Sequence, residues 1–430
     1  MPHWPRVFFF VLATFPVAAQ DVRVIRAGRL LDVEAGEVLR DRLVIVRGER
    51  IEAVTSASSP VPAGATLYDL SAYTVTPGLI DGHTHVADAD TQSSGAAAPL
   101  EASAAQQAFA GARHAKLTLL AGFTSVRDVG TWRVFSDVAL RDAIQDGIVP
   151  GPRMAVAGTY VTKSAGAGDI TGLPPDLLLP AGFRAGVANN ADEVRRRVRE
   201  LLNGGADFIK IMATGAVLTR GNRPGVPEMD EAELRAAVET AALFGARVTA
   251  HAHGAVGIKN AVRAGVQTIE HGSLMDDESI RLMKEHATYL CADIYNGDYI
   301  ASEGQRQGWP AEYLRKNQET TEAQRQGFRK AVAVGVKIAY GTDSGVYPHG
   351  WNARQLPYMV RYGMTPLQAL QAATIVGARN IGWEDRVGTI AAGKYADLIA
   401  VKGDALADLE GFGDVAFVMK GGVVYKSPAR

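Results

Sequence analysis

His83 and His85, one residue apart in the stretch LIDGHTHV at 79–86, are the first residues of this chain whose type and spacing could do chemistry. On a strand, side chains two apart share a face, so the pair could hold one metal ion between them. Taken alone, His-x-His is more often two polar residues on one face of a strand than a metal site. Four later positions change the weighing. Lys210 interrupts the apolar run FIKIM, His251 ends VTAH, His271 ends TIEH, and Asp343 ends YGTD. An unpaired ammonium in an apolar strand costs several kcal/mol. Lys210 is therefore either a snorkelling lysine at a strand end or a neutral amine that takes up carbon dioxide as a carbamate bridging two metals. Four imidazoles, a carbamate and a carboxylate suit two borderline divalent ions, zinc above all, with manganese and cobalt also accepted.

These residues need elements that bring them to one place. Between about Thr76 and Asp385, short β-branched runs alternate with helical patterns, beginning with YTVTPGLIDGHTHV and continuing through FTSVRDVG, RMAVAG, DFIKIMATG, RVTAHAHG, QTIEHG, TYLCADI and KIAYGTD. One helix is expected from Glu231 to Leu243, opened by Asp230 with Glu233 three residues on, and another is capped by Thr365 with Pro366 in its first turn. Eight β-then-α units over roughly 300 residues predict an α/β fold, a (β/α)8 TIM barrel over 76–385 with functional groups at the C-terminal strand ends. A doubly wound open sheet competes, but most candidate strands end in or near a histidine, lysine or aspartate. Residues 20–75 and 386–430 carry short alternating strands with turns at Gly48-Glu49 and Gly421-Gly422, which predicts a small β-sandwich domain formed by both termini.

Composition narrows the function. With 47% hydrophobic residues the chain can build a large core, and Lys plus Arg 45 against Asp plus Glu 46 gives a net charge of -1, which argues against nucleic acid as a partner. Arg6, the apolar run from Val7, Pro16 and Ala18-Ala19 read as a signal peptide over 1–19, so a periplasmic or secreted location is expected. Its apolar stretch of about 13 residues falls short of the roughly 20 that span a bilayer, so no membrane association is expected after cleavage. Cys291 is the sole cysteine, which excludes an intramolecular disulfide, and its strand context reads as a small buried residue.

The motifs PGLIDGHTHV, FIKIMATG, VTAHAHG, TIEHG and GTDSGVYPHGWNARQL, with AGKYADLIAV beyond the barrel, resemble the amidohydrolase superfamily. The likeness is to its imidazolonepropionase-like group of Xaa-Pro dipeptidases and carboxypeptidase-like enzymes, and within that to the ochratoxinase type. The resemblance implies that His83 and His85 bind a first metal, N6-carboxylated Lys210 bridges, and His251 and His271 bind a second. Asp343 would contact the first metal and handle protons. Strand geometry leaves His251 and His253 as equal candidates; the family pattern favours His251 and gives His253 to substrate or transition state. Further candidates for the pocket are Arg220 and Arg223 for a substrate carboxylate, Tyr295, Asn296 and His349, whereas His3, His114 and His286 are read as without function. Where relatives often read Thr-Gly-Gly-His-Gly-Asp, this chain has Ser164 to Asp169 as SAGAGD, and Ala167 in the histidine position would open the pocket to a bulkier aromatic acyl group. The expected activity is release of a C-terminal amino acid from an N-acyl or peptidyl amide, ochratoxin A included. The metals would activate water and Asp343 would move its proton. An Xaa-Pro or other dipeptidase without toxin activity, a cyclic-amide hydrolase or deaminase of the same fold, and a non-catalytic barrel are the alternatives. Relatives of this architecture also imply a homo-oligomer acting on small molecules.

Overall fold

The first four strands, β1 (Val22–Asp32), β2 (Glu37–Arg47), β3 (Arg50–Ser56) and β4 (Thr66–Pro77), begin a sheet that the far end of the chain completes. The computed structural model describes residues 21–89, 97–174 and 176–428, so the expected signal peptide lies outside the described residues. After β4 come the barrel strands β5 (Leu79–Thr84), β6 (Phe123–Asp128), β7 (Arg153–Val156), β8 (Tyr160–Val161), β9 (Ile209–Met212), β10 (Val248–Gly254), β11 (Thr268–Leu274), β12 (Tyr289–Cys291) and β13 (Lys337–Ile338). β7 and β8 act as two pieces of one barrel side. The Asp207 N–H donates to the Val156 carbonyl (2.8 Å) just before β9, and Tyr160 in β8 then pairs with Lys210.

Neighbouring barrel strands are parallel throughout. The ring closes between β5 and the segment after β13, where the Gly82 N–H donates to the Tyr340 carbonyl (2.8 Å), the Asp343 N–H donates to the His83 carbonyl (2.7 Å), and Thr84 bridges Ser344. A Cβ on Gly82 would lie 2.9 Å from that Tyr340 oxygen, so glycine before His83 is what allows strands one and eight to approach. The outer helices follow the local signals. Asp230 and Glu233 form a capping box on Glu231–Ala242, with Leu243 as C-cap, and Thr365 with Gln368 forms another on Pro366–Ala372.

After the barrel, β14 (Leu398–Lys402), β15 (Phe417–Lys420) and β16 (Val423–Lys426) complete a seven-stranded sheet in the order β16-β15-β14-β4-β1-β2-β3. This sheet has a core cluster of its own, in which Ile25, Val44, Val46, Leu398 and Phe417 are fully buried. Both hairpin turns fall where the sequence expects them, and they meet. Gly422, at φ +76°, has no room for a Cβ, which would stand 2.1 Å from the Gly48 carbonyl oxygen. Among the described residues no helix is long and apolar enough to cross a membrane.

Candidate metal centre and active-site cavity

The strand ends bring the candidate ligands together. The ring of His271 is 4.8 Å from that of His83, 4.6 Å from His251 and 4.8 Å from His253, centroid to centroid. Asp343 Oδ1 lies 3.2 Å from His85 Nε2 and 3.4 Å from His83 Nε2, so strand one and strand eight converge on one carboxylate oxygen. Lys210 is 2% exposed, and the anions that favour its charged form, Glu270 and Asp343, act through space and not through a hydrogen bond. Burial pushes its amine below the usual lysine range. Two members of the set, His271 (φ +67°) and Asp343 (φ +57°), hold left-handed backbone conformations, which non-glycine residues keep chiefly where surrounding structure enforces them.

A metal fits this donor set because the histidine rings are fixed from behind. His83 Nδ1 meets Glu270 Oε2 at 2.7 Å, His85 Nδ1 meets the Gly130 carbonyl at 2.8 Å, and His271 Nδ1 meets Asp293 Oδ1 at 3.0 Å, which leaves Nε2 of each for the cavity. His251 is turned the other way, with Nε2 against the Gly215 carbonyl at 3.2 Å and Nδ1 left over. His253 Nδ1 meets Ser273 Oγ at 2.8 Å, and its Nε2 is left over. Ligand atoms of His251, His253 and His271 lie within 4.8 Å of one another, as do those of His83, His271 and Asp343. Asp343 overrides burial and holds the His85 imidazolium up to about 9, so a metal ion binding there would displace a proton.

Glu270 is the support that sequence reading missed. Burial would raise its carboxyl, but Arg127 and His83 overcome this and hold it well below the usual range. Arg127 Nη2 donates to Glu270 Oε1 at 2.5 Å while its Nε donates to the Gly82 carbonyl at 2.6 Å, so one guanidinium ties the His83 orienter to strand one. Glu270→Gln is expected to weaken metal binding about 10–100-fold, as loss of an orienting partner behind a ligand does. A competition titration against a chromogenic chelator measures this, and wild-type affinity in the variant would remove Glu270 from the role.

The cavity above the centre has two kinds of wall. Trp132, Tyr160, Ala167, Met212, Ala216, Val217, Leu218, Ile300 and Val346 make an apolar side, while Asn317, Thr320, Thr321 and Gln324 add a polar stripe. The stripe repeats at i, i+3, i+4 and i+7 along the helix Ala311–Val334, one face of a helix. Ala167 stands where the sequence expects an opened pocket, packed with Tyr160, Met212 and Ala216. Asn296 also lines the cavity, its Nδ2 donating to Asp293 Oδ2 (2.7 Å) and Asp343 Oδ2 (3.3 Å).

Other expected pocket residues stand elsewhere. Arg220 and Arg223 are exposed on the loop after β9 and off the cavity wall, with Arg220 Nη1 donating to the Gly172 carbonyl (3.3 Å). Tyr295 is buried behind the wall, edge-on to Tyr347 and Tyr358. His349 is buried and stacks on His114 at 4.3 Å rather than facing the centre. Both arginines follow a loop whose path no periodicity encodes.

What the barrel presents at its C-terminal mouth is the equipment of a hydrolase that acts on amide bonds. Residues 74–425 match the model of the Amidohydrolase family, and the chain belongs to that family, whose members generally bind metals. It is 33% identical over 431 residues to ochratoxinase of Aspergillus niger, across 95% of this chain and 87% of that protein. The crystal structure of that ochratoxinase matches with a TM-score of 0.85 at 32% identity over 95% of this chain and 97% of the other. A Xaa-Pro dipeptidase with methionine bound in its active site matches at 36% identity and a TM-score of 0.88 over 95% of this chain and all (100%) of that one. A prolidase complexed with N-methylphosphonate-L-proline matches at 32% identity and 0.86 over 94% of this chain and 100% of the other.

Proposed function

We propose that this amidohydrolase binds two divalent ions through His83, His85, Lys210 as its N6-carboxylate, His251, His271 and Asp343, and releases a C-terminal amino acid from an N-acyl or peptidyl amide. Ochratoxin A is one such substrate, cleaved to ochratoxin alpha and phenylalanine. The observation that carries this reading is the convergence of four imidazoles, a buried lysine and a carboxylate beside a wall that is aromatic and aliphatic on one side and polar on the other.

When bound, such ions supply an activated water and polarise the scissile carbonyl. The carboxylate of Asp343 would take a proton from the attacking water as its oxygen bonds to the carbonyl carbon, and would pass that proton to the leaving nitrogen as the C–N bond breaks. His253, fixed by Ser273, offers its other ring nitrogen to the charge that grows on the carbonyl oxygen. Trp132, Tyr160 and Met212 pack the acyl group and hold water away from it, and the stripe from Asn317 to Gln324 faces the leaving amino acid. With Arg220 and Arg223 off the cavity wall, the polar stripe from Asn317 to Gln324 is the surface that would face the substrate carboxylate. We also propose export, on the strength of the segment 1–19.

Likeness to the methionine-bound Xaa-Pro dipeptidase favours a second reading, cleavage of Xaa-Pro dipeptides without action on the toxin. One panel separates the two: ochratoxin A, N-acetyl-phenylalanine, and Xaa-Pro, Xaa-Phe and Xaa-Arg dipeptides, with products identified by mass spectrometry. Free phenylalanine from the N-acyl substrates is the expected result. Turnover of proline dipeptides alone supports the second reading, and turnover of only cyclic amides or aminopurines overturns both.

A further inference from the structure

A second lysine is buried in this barrel away from the centre. Lys316, on the cavity-lining helix, is 1% exposed, and an ammonium so placed is tolerated only where its donors are met. They are met by three acceptors: Thr219 O at 2.7 Å, Glu312 Oε1 at 2.7 Å and Ala216 O at 3.5 Å. Two of these are the carbonyls that bracket Val217 and Leu218, the apolar lip of the cavity. Glu312 Oε1 also accepts from the Gly221 N–H (2.9 Å), so the pair grips the loop at three backbone positions, 216, 219 and 221. On its other side the lip is tied by Thr219 Oγ1, which donates to the carbonyl of Ala167 (2.8 Å), itself on the cavity wall.

We propose that Lys316 is a positioning residue that, with Glu312, clamps the Val217–Leu218 lip against the helix Ala311–Val334 and so sets the width of the acyl pocket and the preference for a bulky aromatic acyl group. The lip segment has no regular secondary structure of its own, and side-chain tethers must fix it. A carbonyl can be held from a distance only by a long donor, and lysine brings three donors on a flexible stem. Because the clamp touches neither the candidate ligands nor the reacting bond, it acts on how the acyl group seats and leaves the bond-breaking step alone.

The proposal rests on the reading of the site as an N-acyl amino acid hydrolase, and its test separates the two. In Lys316→Met, loss of charge-assisted hydrogen bonds is expected to raise KM for ochratoxin A about tenfold and KM for N-acetyl-phenylalanine less than about threefold, with kcat for both within about twofold. Metal content should match wild type, and hydrogen exchange over 213–228 should quicken. Glu312→Ala, which removes a partner whose side chain is 30% exposed and is compatible with folding even if Lys316→Met is not, should shift the same quantities in the same direction by less. Equal KM changes for both substrates, a fall in kcat, or unchanged exchange over 213–228 in these variants would overturn the clamp. If wild type releases phenylalanine from neither substrate, the proposed function fails, and the exchange measurement alone then decides whether the clamp exists.

Discussion

Lys210→Ala is expected to leave no turnover above background and to lower bound metal from about two ions per chain, the content implied by a bridging ligand. The side chain sits in the middle of β9 at 2% exposure, among His83, His251, His271 and Asp343 on the cavity surface. A lysine ammonium there would stand among imidazoles with no hydrogen-bonded anion of its own, and burial favours the neutral amine. The amine lone pair can then attack carbon dioxide, forming an N–C bond and releasing a proton to solvent, which leaves a carboxylate where the donor set lacks one. Plasma mass spectrometry of the purified variant beside a phenylalanine-release assay measures both effects. Wild-type metal content with wild-type turnover in Lys210→Ala would end the two-metal reading.

The alternation of strands and helices was legible because the barrel strands are short apolar runs, most of them with a histidine, lysine or aspartate at or near the end, and because capping residues such as Asp230 and Thr365 act locally. The candidate ligand positions stood out for a related reason: a lysine in FIKIM or a histidine at the end of TIEH contradicts its apolar surroundings. The same logic reaches Glu270, a carboxylate inside the same strand that stood beside the more conspicuous His271, and Asp293, which follows β12 as a carboxylate in the apolar run YLCADI. What no local pattern holds is who meets whom across the barrel. Arg127 pairs with Glu270 over 143 residues, and the polar stripe from Asn317 to Gln324 reaches the cavity only because its helix folds back over β11. The loop arginines Arg220 and Arg223 stand off the cavity wall for the converse reason, since an exposed loop can carry a cation in any direction.

The second large effect separates proton transfer from metal binding. Asp343→Asn is expected to lower kcat by about 10²–10⁴, the span that general acid–base groups contribute, while metal content changes little because the imidazoles and Lys210 persist. Asparagine is the substitution that isolates this function. It keeps the side-chain shape, tolerates the φ of +57° at this position, and still places an oxygen or amide beside His85 and Asn296. What it loses is the anionic charge and the capacity to hold a proton between water and the leaving nitrogen. Alanine would confuse the result by leaving the His83 and His85 rings without the oxygen on which both converge. A variant that keeps its metal and loses turnover assigns Asp343 to proton transfer. One that loses both assigns it to the ligand set, and one that loses neither returns the proton to another group at the centre, of which His253 is the nearest candidate in kind.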